Sequence, residues 1–393
     1  MIACYAWTDT QILNLVQIKE FYYGEESADL FICKLDRLSI ELINEVENYR
    51  LFDNIYVVDP VQYSFKFSCL EKVPFILGVK STINRKKYYN NIYSNIIGNK
   101  VYKTILTAGF WGDSLFLLKY LLYNNKNIKI QLIEEGALSY CAPIKRLCKA
   151  KPLGCQITWK DRVSARIIEI LILGRSYLNL KNKITKFFVH EPLAVHEEFV
   201  HIKTRIPKVD FKQDICSNIL KNIGEKIDIK LIDKNDIFFF PTPLIDGYED
   251  NRITTYEILD TVVDVLQGKQ LLVKLHPSMI KNELDFGKKY KRTAYFDKTS
   301  YPFEVLARNV DLSNKILISR NTSCLLMAKY MFGYEPIIVY TYKLYDRYKK
   351  DGEPDLERYV KGLKALYNSP EKIMVPENMR ELYIMLTRLK DIL

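Results

Sequence analysis

Short apolar runs recur along this chain with helix-like segments between them, and the pattern starts afresh after a break near the middle. Ile2–Tyr5, Leu30–Leu35, Ile55–Val58, Lys103–Thr107 and Ile128–Ile133 read as strands. They are too continuously apolar for a sheet wetted on one face, and suit parallel strands covered on both. Helical periodicity fills the gaps at Thr10–Phe21, where Thr10 is the expected cap, and at Asp113–Tyr123. A polar stretch over 207–236 reads as a linker and its approaches. The alternation then restarts, with strands at Ile237–Phe240, Leu271–Leu275, Ile316–Ile318 and Ile337–Tyr340, and helices at Tyr256–Leu266 and Ser323–Phe332. Strands alternating with helices predict doubly wound α/β sheets.

The 393 residues suit two or three domains at about 150 each. The expected division is an N-terminal domain over 1–228, a second over 229–376, and an amphipathic helix over 377–393 after Pro376 that packs back on the first. At 48% hydrophobic residues the chain can fill sizeable cores and is no disordered tail. No apolar run reaches the roughly 18 residues of a membrane span; the 115–123 stretch is broken by Lys119. The first residues carry neither a basic segment nor a long apolar one, and eight cysteines are too sparse for a disulfide scaffold, so a reducing cytoplasm is expected. Cys141, Cys148 and Cys155 repeat every seven residues, without the CxxC pair or nearby His of a zinc site.

Charge is concentrated. Between Cys141 and His190 stand eleven basic residues against Asp161 and Glu169, so nine of the eleven net positive charges lie there. Within this insertion Arg162–Leu180 reads as a helix with a broad apolar face. A basic amphipathic helix can lie on anionic lipid or collect an acidic glycan; an ordinary core helix with a cationic rim is the plain alternative. Nucleic acid is the weakest partner, because the island is local and no binding module accompanies it.

Ligands of open α/β sheets bind beyond the carboxyl ends of the strands. Three such ends stand out. Glu134-Glu135-Gly136 follows the strand ending at Ile133, and its adjacent carboxylates suit a general base, with a glycine to allow close approach. His276-Pro277 follows Leu271–Leu275; histidine there can neutralise a phosphate or move a proton. Ser319-Arg320-Asn321-Thr322-Ser323 opens a helix, where hydroxyls and N–H groups can hold phosphate or simply cap.

In this order the three resemble the motifs of bacterial sialyltransferases with two Rossmann domains (the GT-B fold), and glycosyltransferase family 52 in particular. The lipooligosaccharide and capsular enzymes and the related polysialyltransferases share a D/E-D/E-G, an HP and an S/T-S motif. The resemblance implies a GT-B α/β fold and an inverting transfer of sialic acid from CMP-sialic acid to a hydroxyl of a surface glycan. Glu135 would be the base, supported by Glu134 and Gly136. His276, Pro277, Thr322 and Ser323 would neutralise the departing nucleotide, Glu304 would hold the ribose, and the Phe240–Leu244 segment with Pro243 would edge the nucleotide. No cofactor and no metal are expected, in keeping with the lack of a DxD motif.

The partners implied are a nucleotide sugar, a glycan or lipid-linked acceptor, and the inner membrane surface through 141–190, with a homodimer left open and no nucleic acid. The pair here is Glu-Glu where other members have Asp-Asp, and family 52 also holds glucosyltransferases, so another donor such as UDP-glucose stays open. So does a non-catalytic nucleotide- or glycan-binding protein on the same scaffold. Two patterns are set aside. His196 and His201 are five apart, about 140° off a common helix face. Thr107–Asp113 offers two glycines without GxGxxG and reads as a strand-to-helix loop.

Overall fold

The computed structural model describes residues 1–34, 38–60, 75–110, 113–136, 139–140, 180–241, 249–275, 290, 294–297, 301–346 and 354–391. The chain forms two compact units. One comprises Met1–Leu35, Tyr49–Glu135 and Ala142–Ile206; the other comprises Asp36–Asn48, Gly136–Cys141 and Pro207–Leu393.

The first unit is built on seven parallel strands in the order β3-β2-β1-β4-β5-β6-β7. They are β1 (Ile2–Ala6), β2 (Ala28–Cys33), β3 (Asn54–Val58), β4 (Thr104–Thr107), β5 (Lys129–Ile133), β6 (Ile184–Val189) and β7 (Lys203–Arg205). Every residue of β1, β2 and β4 is buried, as central strands covered on both faces require. Cys4 pairs with Leu30 on one side and Leu106 on the other. Helix α1 (Asp9–Ile18) follows β1; Thr8, rather than Thr10, caps it by accepting from the Gln11 N–H at 3.3 Å. The difference is geometric, since Thr8 is extended and Thr10 already lies in the helix. At the amino edge, Asp29 is fully buried yet satisfied by Asn54 Nδ2 and Lys100 Nζ, both at 2.7 Å, and by the Tyr102 hydroxyl.

The second unit holds six parallel strands in the order β10-β9-β8-β11-β12-β13. They are β8 (Ile237–Phe240), β9 (Leu271–Lys274), β10 (Ala294–Asp297), β11 (Ile316–Ser319), β12 (Ile337–Tyr340) and β13 (Ile373–Met374). Among the described residues, four strands, β6, β7, β10 and β13, fall outside the apolar runs: all four lie toward sheet edges, β6, β7 and β10 carry polar residues, and β13 is only two residues long. Helix α2 (Ile40–Asn48) clusters with this unit: Glu45 pairs with Lys226 at 2.6 Å and accepts from Asn222.

The stretch over 207–236 is no linker. It folds into α5 (Ile215–Gly224) and α6 (Ile229–Asp233), α3 (Phe75–Ile97) and α4 (Ser114–Asn124) being the intervening helices of the first unit. After α7 (Glu249–Val265), helix α8 (Phe303–Asn309) packs on α5: Arg308 Nε donates to Ser217 Oγ at 2.7 Å and Asn309 Nδ2 to the Leu220 carbonyl at 3.0 Å. Gly224 makes that approach possible, since a Cβ there would sit 2.3 Å from Asn309 Nδ2. The longest segment of the second unit starts at Pro207, and α5 belongs to it through its packing on α8.

Helices α9 (Cys324–Tyr330), α10 (Pro354–Leu366) and α11 (Met379–Lys390) complete this unit. The closing helix α11 packs within this unit. Leu382, Leu386 and Leu389 join Ile258, Leu259, Val262, Val273 and Ile318 in one core. Each such leucine contributes about 1.5–3 kcal/mol of burial, ample to hold a twelve-residue helix in place. Among the described residues no helix is long and apolar enough to cross a membrane.

Candidate active site

Both sheets reverse their order of construction once, between β1 and β4 in the first and between β8 and β11 in the second. Beyond the carboxyl ends of strands at such switch points, the loops diverge and leave room for a ligand. Among the described residues, the acidic motif follows β5 on this edge of the first unit and the hydroxyl motif follows β11 on this edge of the second. By contrast, the pocket bordered by Asn235, Gln270, Ala294 and Tyr295 opens where β8, β9 and β10 begin, on the opposite edge.

In the first unit, Glu134 and Glu135 follow β5 directly. Their environments differ: Glu134 is fully buried, Glu135 half-buried. Glu134 Oε2 accepts from the His190 backbone N–H at 2.9 Å, and its carbonyl accepts from Asn14 Nδ2 at 3.1 Å. Asn14 Oδ1 lies 3.0 Å from His190 Nε2. Asn14 and His190 are themselves completely buried. Neither was singled out by the motifs; the available signal was that His190 directly follows the apolar Phe187-Phe188-Val189 that closes β6. Next to it, Arg205 clamps Glu191 with two hydrogen bonds, at 2.9 and 3.2 Å, and donates to the His190 carbonyl.

In the second unit, Gly136 rests against Ser323. Its φ is +106°, and a Cβ added there would lie 2.9 Å from Ser323 Cβ and 3.3 Å from Ser323 Oγ. The turn after it is closed by Ser139 N–H donating to the Gly136 carbonyl at 3.0 Å, and Tyr140 packs edge-on against Tyr330 of α9 at 5.0 Å. The glycine of the first motif therefore touches the serine of the third.

Helix α9 is shorter than the expected Ser323–Phe332, only two turns, so its dipole is small. Its cap is also shared differently. The Thr322 hydroxyl accepts from the Cys324 N–H at 3.4 Å, while Ser323 makes no side-chain cap. Glu304, in the first turn of α8, is buried close to this helix start. Burial, with the negative Glu304 carboxylate nearby, pushes the Cys324 thiol up to about 12, and the cation of Lys274 works against that rise. Lys274, at the end of β9, forms a buried ion pair with Asp297 at 2.9 Å and lies 4.0 Å over the Tyr301 ring. At the switch point, Ser319 Oγ donates to the Phe240 carbonyl at 2.8 Å, and the Arg320 guanidinium sits 5.1 Å over Tyr345.

Of the expected site residues, Gly136, Glu304, Thr322 and Ser323 thus come together in one unit, and Glu134 and Glu135 end β5 in the other. His276, Pro277 and Pro243 lie outside the described residues, as do most of the basic insertion and its expected helix. The end of that insertion is strand β6, preceded by a 3₁₀ turn at Leu180–Lys183. The His196–His201 segment forms a single 3₁₀ turn, Glu197–Phe199, in which His196 Nδ1 accepts from the Glu198 N–H at 3.2 Å.

No protein-family model matches the chain, and no curated protein matches it in sequence. Solved structures do match. A Listeria monocytogenes protein designated a UDP-N-acetylglucosamine 2-epimerase aligns over 99% of this chain and 87% of its own, with TM-score 0.52 and 9% identity. The Methanocaldococcus jannaschii UDP-GlcNAc 2-epimerase, solved with UDP-GlcNAc and UDP, aligns over 100% and 92%, with TM-score 0.51 and 11% identity. The fold is GT-B. At these identities the likeness reaches the architecture of two Rossmann-like domains and does not single out family 52 or a sialic acid donor.

Proposed function

We propose that this chain is a glycosyltransferase that moves a sugar from a nucleotide donor to a hydroxyl of a glycan acceptor. The observation that supports the reading is the seat of Gly136 against Ser323 within the second unit, where the glycine of one expected motif meets the serine of another although 186 residues lie between them in sequence. In this reading Glu135, the residue before Gly136, takes the acceptor proton as general base. The acceptor oxygen then bonds to the anomeric carbon from the face opposite the nucleotide, the carbon–oxygen bond to phosphate breaks, and configuration inverts. Negative charge grows on the departing phosphate, where His276 with the Thr322 and Ser323 hydroxyls would oppose it. Glu304 would accept from the ribose hydroxyls.

For the donor, a uridine diphosphate sugar is supported by the neighbours of the same fold, one of them solved with UDP-GlcNAc and UDP. CMP-sialic acid is the second reading, supported by the ordered motifs Glu134-Glu135-Gly136, His276-Pro277 and Thr322-Ser323. In either case the basic insertion would bring the enzyme to acidic glycan or to the membrane surface bearing a lipid-linked acceptor. Thermal unfolding in the presence of UDP, UMP, CMP and GDP tests the donor. Selective stabilisation by UDP supports the first reading, and selectivity for CMP supports the second. Indifference to all four would remove the nucleotide-sugar assignment altogether. Glu135→Gln should lower turnover about 10²- to 10⁴-fold and leave donor affinity in place; a pure binding protein would show no turnover to lose.

A further inference from the structure

The buried amide and imidazole behind Glu134 make a frame whose hydrogen bonds fix the orientation of the amide and the proton on one ring nitrogen. A carbonyl only accepts, so the Asn14 group at the Glu134 carbonyl must be the amide NH₂. Asn14 Oδ1 is then the atom facing His190 Nε2, and that ring nitrogen must carry the proton. The His190 backbone N–H in turn holds Glu134 Oε2. Glu134 is thus gripped at both its main-chain carbonyl and its carboxylate, from α1 on one side and the end of β6 on the other. Its carbonyl belongs to the same peptide plane as the Glu135 nitrogen, so the grip sets the direction in which the chain leaves β5.

We propose that Asn14 and His190 are positioning residues for Glu135, acting through Glu134, which is a structural carboxylate and not a second base. The proposal rests on the reading of Glu135 as the base. It also accounts for glutamate at position 134, since aspartate would withdraw the carboxylate by one methylene from the His190 N–H. Gly136, with φ +106°, completes the frame on the other side of Glu135. The half-buried base is set between two fixed peptide groups, so little of its geometry is left to be found during the reaction.

The test uses the full chain with UDP-GlcNAc or CMP-sialic acid, whichever nucleotide stabilises it, and reads release of the nucleotide in the presence of a galactosyl acceptor. His190→Leu should lower kcat about 10²-fold, the scale of a misplaced catalytic group, with the donor KM unchanged. His190→Gln, whose amide nitrogen can reach the same point, should recover most of that loss. Asn14→Leu combined with His190→Leu should be little worse than either alone, because both act on one frame. A folded His190→Leu with wild-type kcat overturns the proposal, as does a kcat loss that follows only the folded fraction, or a Gln variant no better than Leu.

The frame is also read without turnover, from the ¹⁵N shifts of the His190 ring. Protonation at Nε2 supports it, and a ring carrying its proton on Nδ1 alone overturns it. Glu135→Gln separates the two levels of the argument. If that variant keeps full turnover, the general-base reading fails and takes the positioning role with it; if it loses turnover while His190→Leu does not, only the positioning role fails.

Discussion

Replacing Gly136 by alanine probes the contact on which the site reading depends. Two costs follow from the structure. A φ of +106° is a backbone state that residues with a Cβ rarely adopt, and holding alanine there costs about 1–3 kcal/mol. The new Cβ would also lie 2.9 Å from Ser323 Cβ, well inside contact distance. Neither atom can swing aside, since each Cβ is placed by its own backbone, so the loop or the start of α9 must move. Such overpacking costs about 1–3 kcal/mol more. The sum, roughly 2–6 kcal/mol, is a large share of the about 5–15 kcal/mol by which folded chains are held.

Urea denaturation of Gly136→Ala, Ser323→Gly and the double variant separates the two contributions. Ser323→Gly removes the opposing Cβ, so in the Gly136→Ala background it should return the steric share and leave the backbone share. The coupling between the two positions is expected at about 1–3 kcal/mol. A Gly136→Ala variant within about 0.5 kcal/mol of the wild type, or strictly additive variants, would refute the close approach.

Three further outcomes follow from charged and titrating groups. Lys274→Met leaves the Asp297 carboxylate buried without its cation and should cost about 3–5 kcal/mol in urea midpoint analysis, most of it recovered when Asp297→Leu is added; equal instability of the single and double variants would contradict this. The Cys324 thiol, raised from 9.0 to about 12, stays protonated in the folded chain, so native alkylation at pH 8.5 followed by mass spectrometry should leave it unmodified. Because the neutral thiol is the favoured form, its contribution to stability is complete below about pH 9 and fades as pH rises toward 12. Lys119 is lowered to about 8 by burial and by the neighbouring Lys86 amine, so more of it is neutral near pH 8 than of an ordinary lysine. It should acylate ahead of ordinary lysines, and a Lys119 that reacts no faster than the exposed average would contradict that environment.

What the sequence by itself determined is the set of central strands and the class of fold. Central strands must bury both faces, so β1, β8 and β12 are apolar throughout and β2, β4 and β11 are apolar apart from Asp29, Thr104, Thr107 and Ser319 at or near their ends, and that shows in the local sequence. The motif positions at strand ends were legible for the same reason, because an apolar run that stops at Glu134 or Ser319 marks where the chain leaves the sheet. Strand β6 was hidden, since its exposed Thr185 and half-buried Lys186 merge with a basic stretch. The helices α5 and α6 looked like linker because their burial comes from partners, α8 among them, that lie far along the chain.

Only the tertiary structure decided which distant residues meet. Asn14, Glu134 and His190 are joined because sheet order sets β5 beside β6 with α1 packed on β5, and no local periodicity encodes that adjacency. Gly136 reaches Ser323 because a short segment after β5 clusters with the second unit. Local pattern reports how a residue's own neighbours are solvated, whereas a site of this kind is made by loops brought side by side through strand order, and strand order is settled by the packing of the whole sheet.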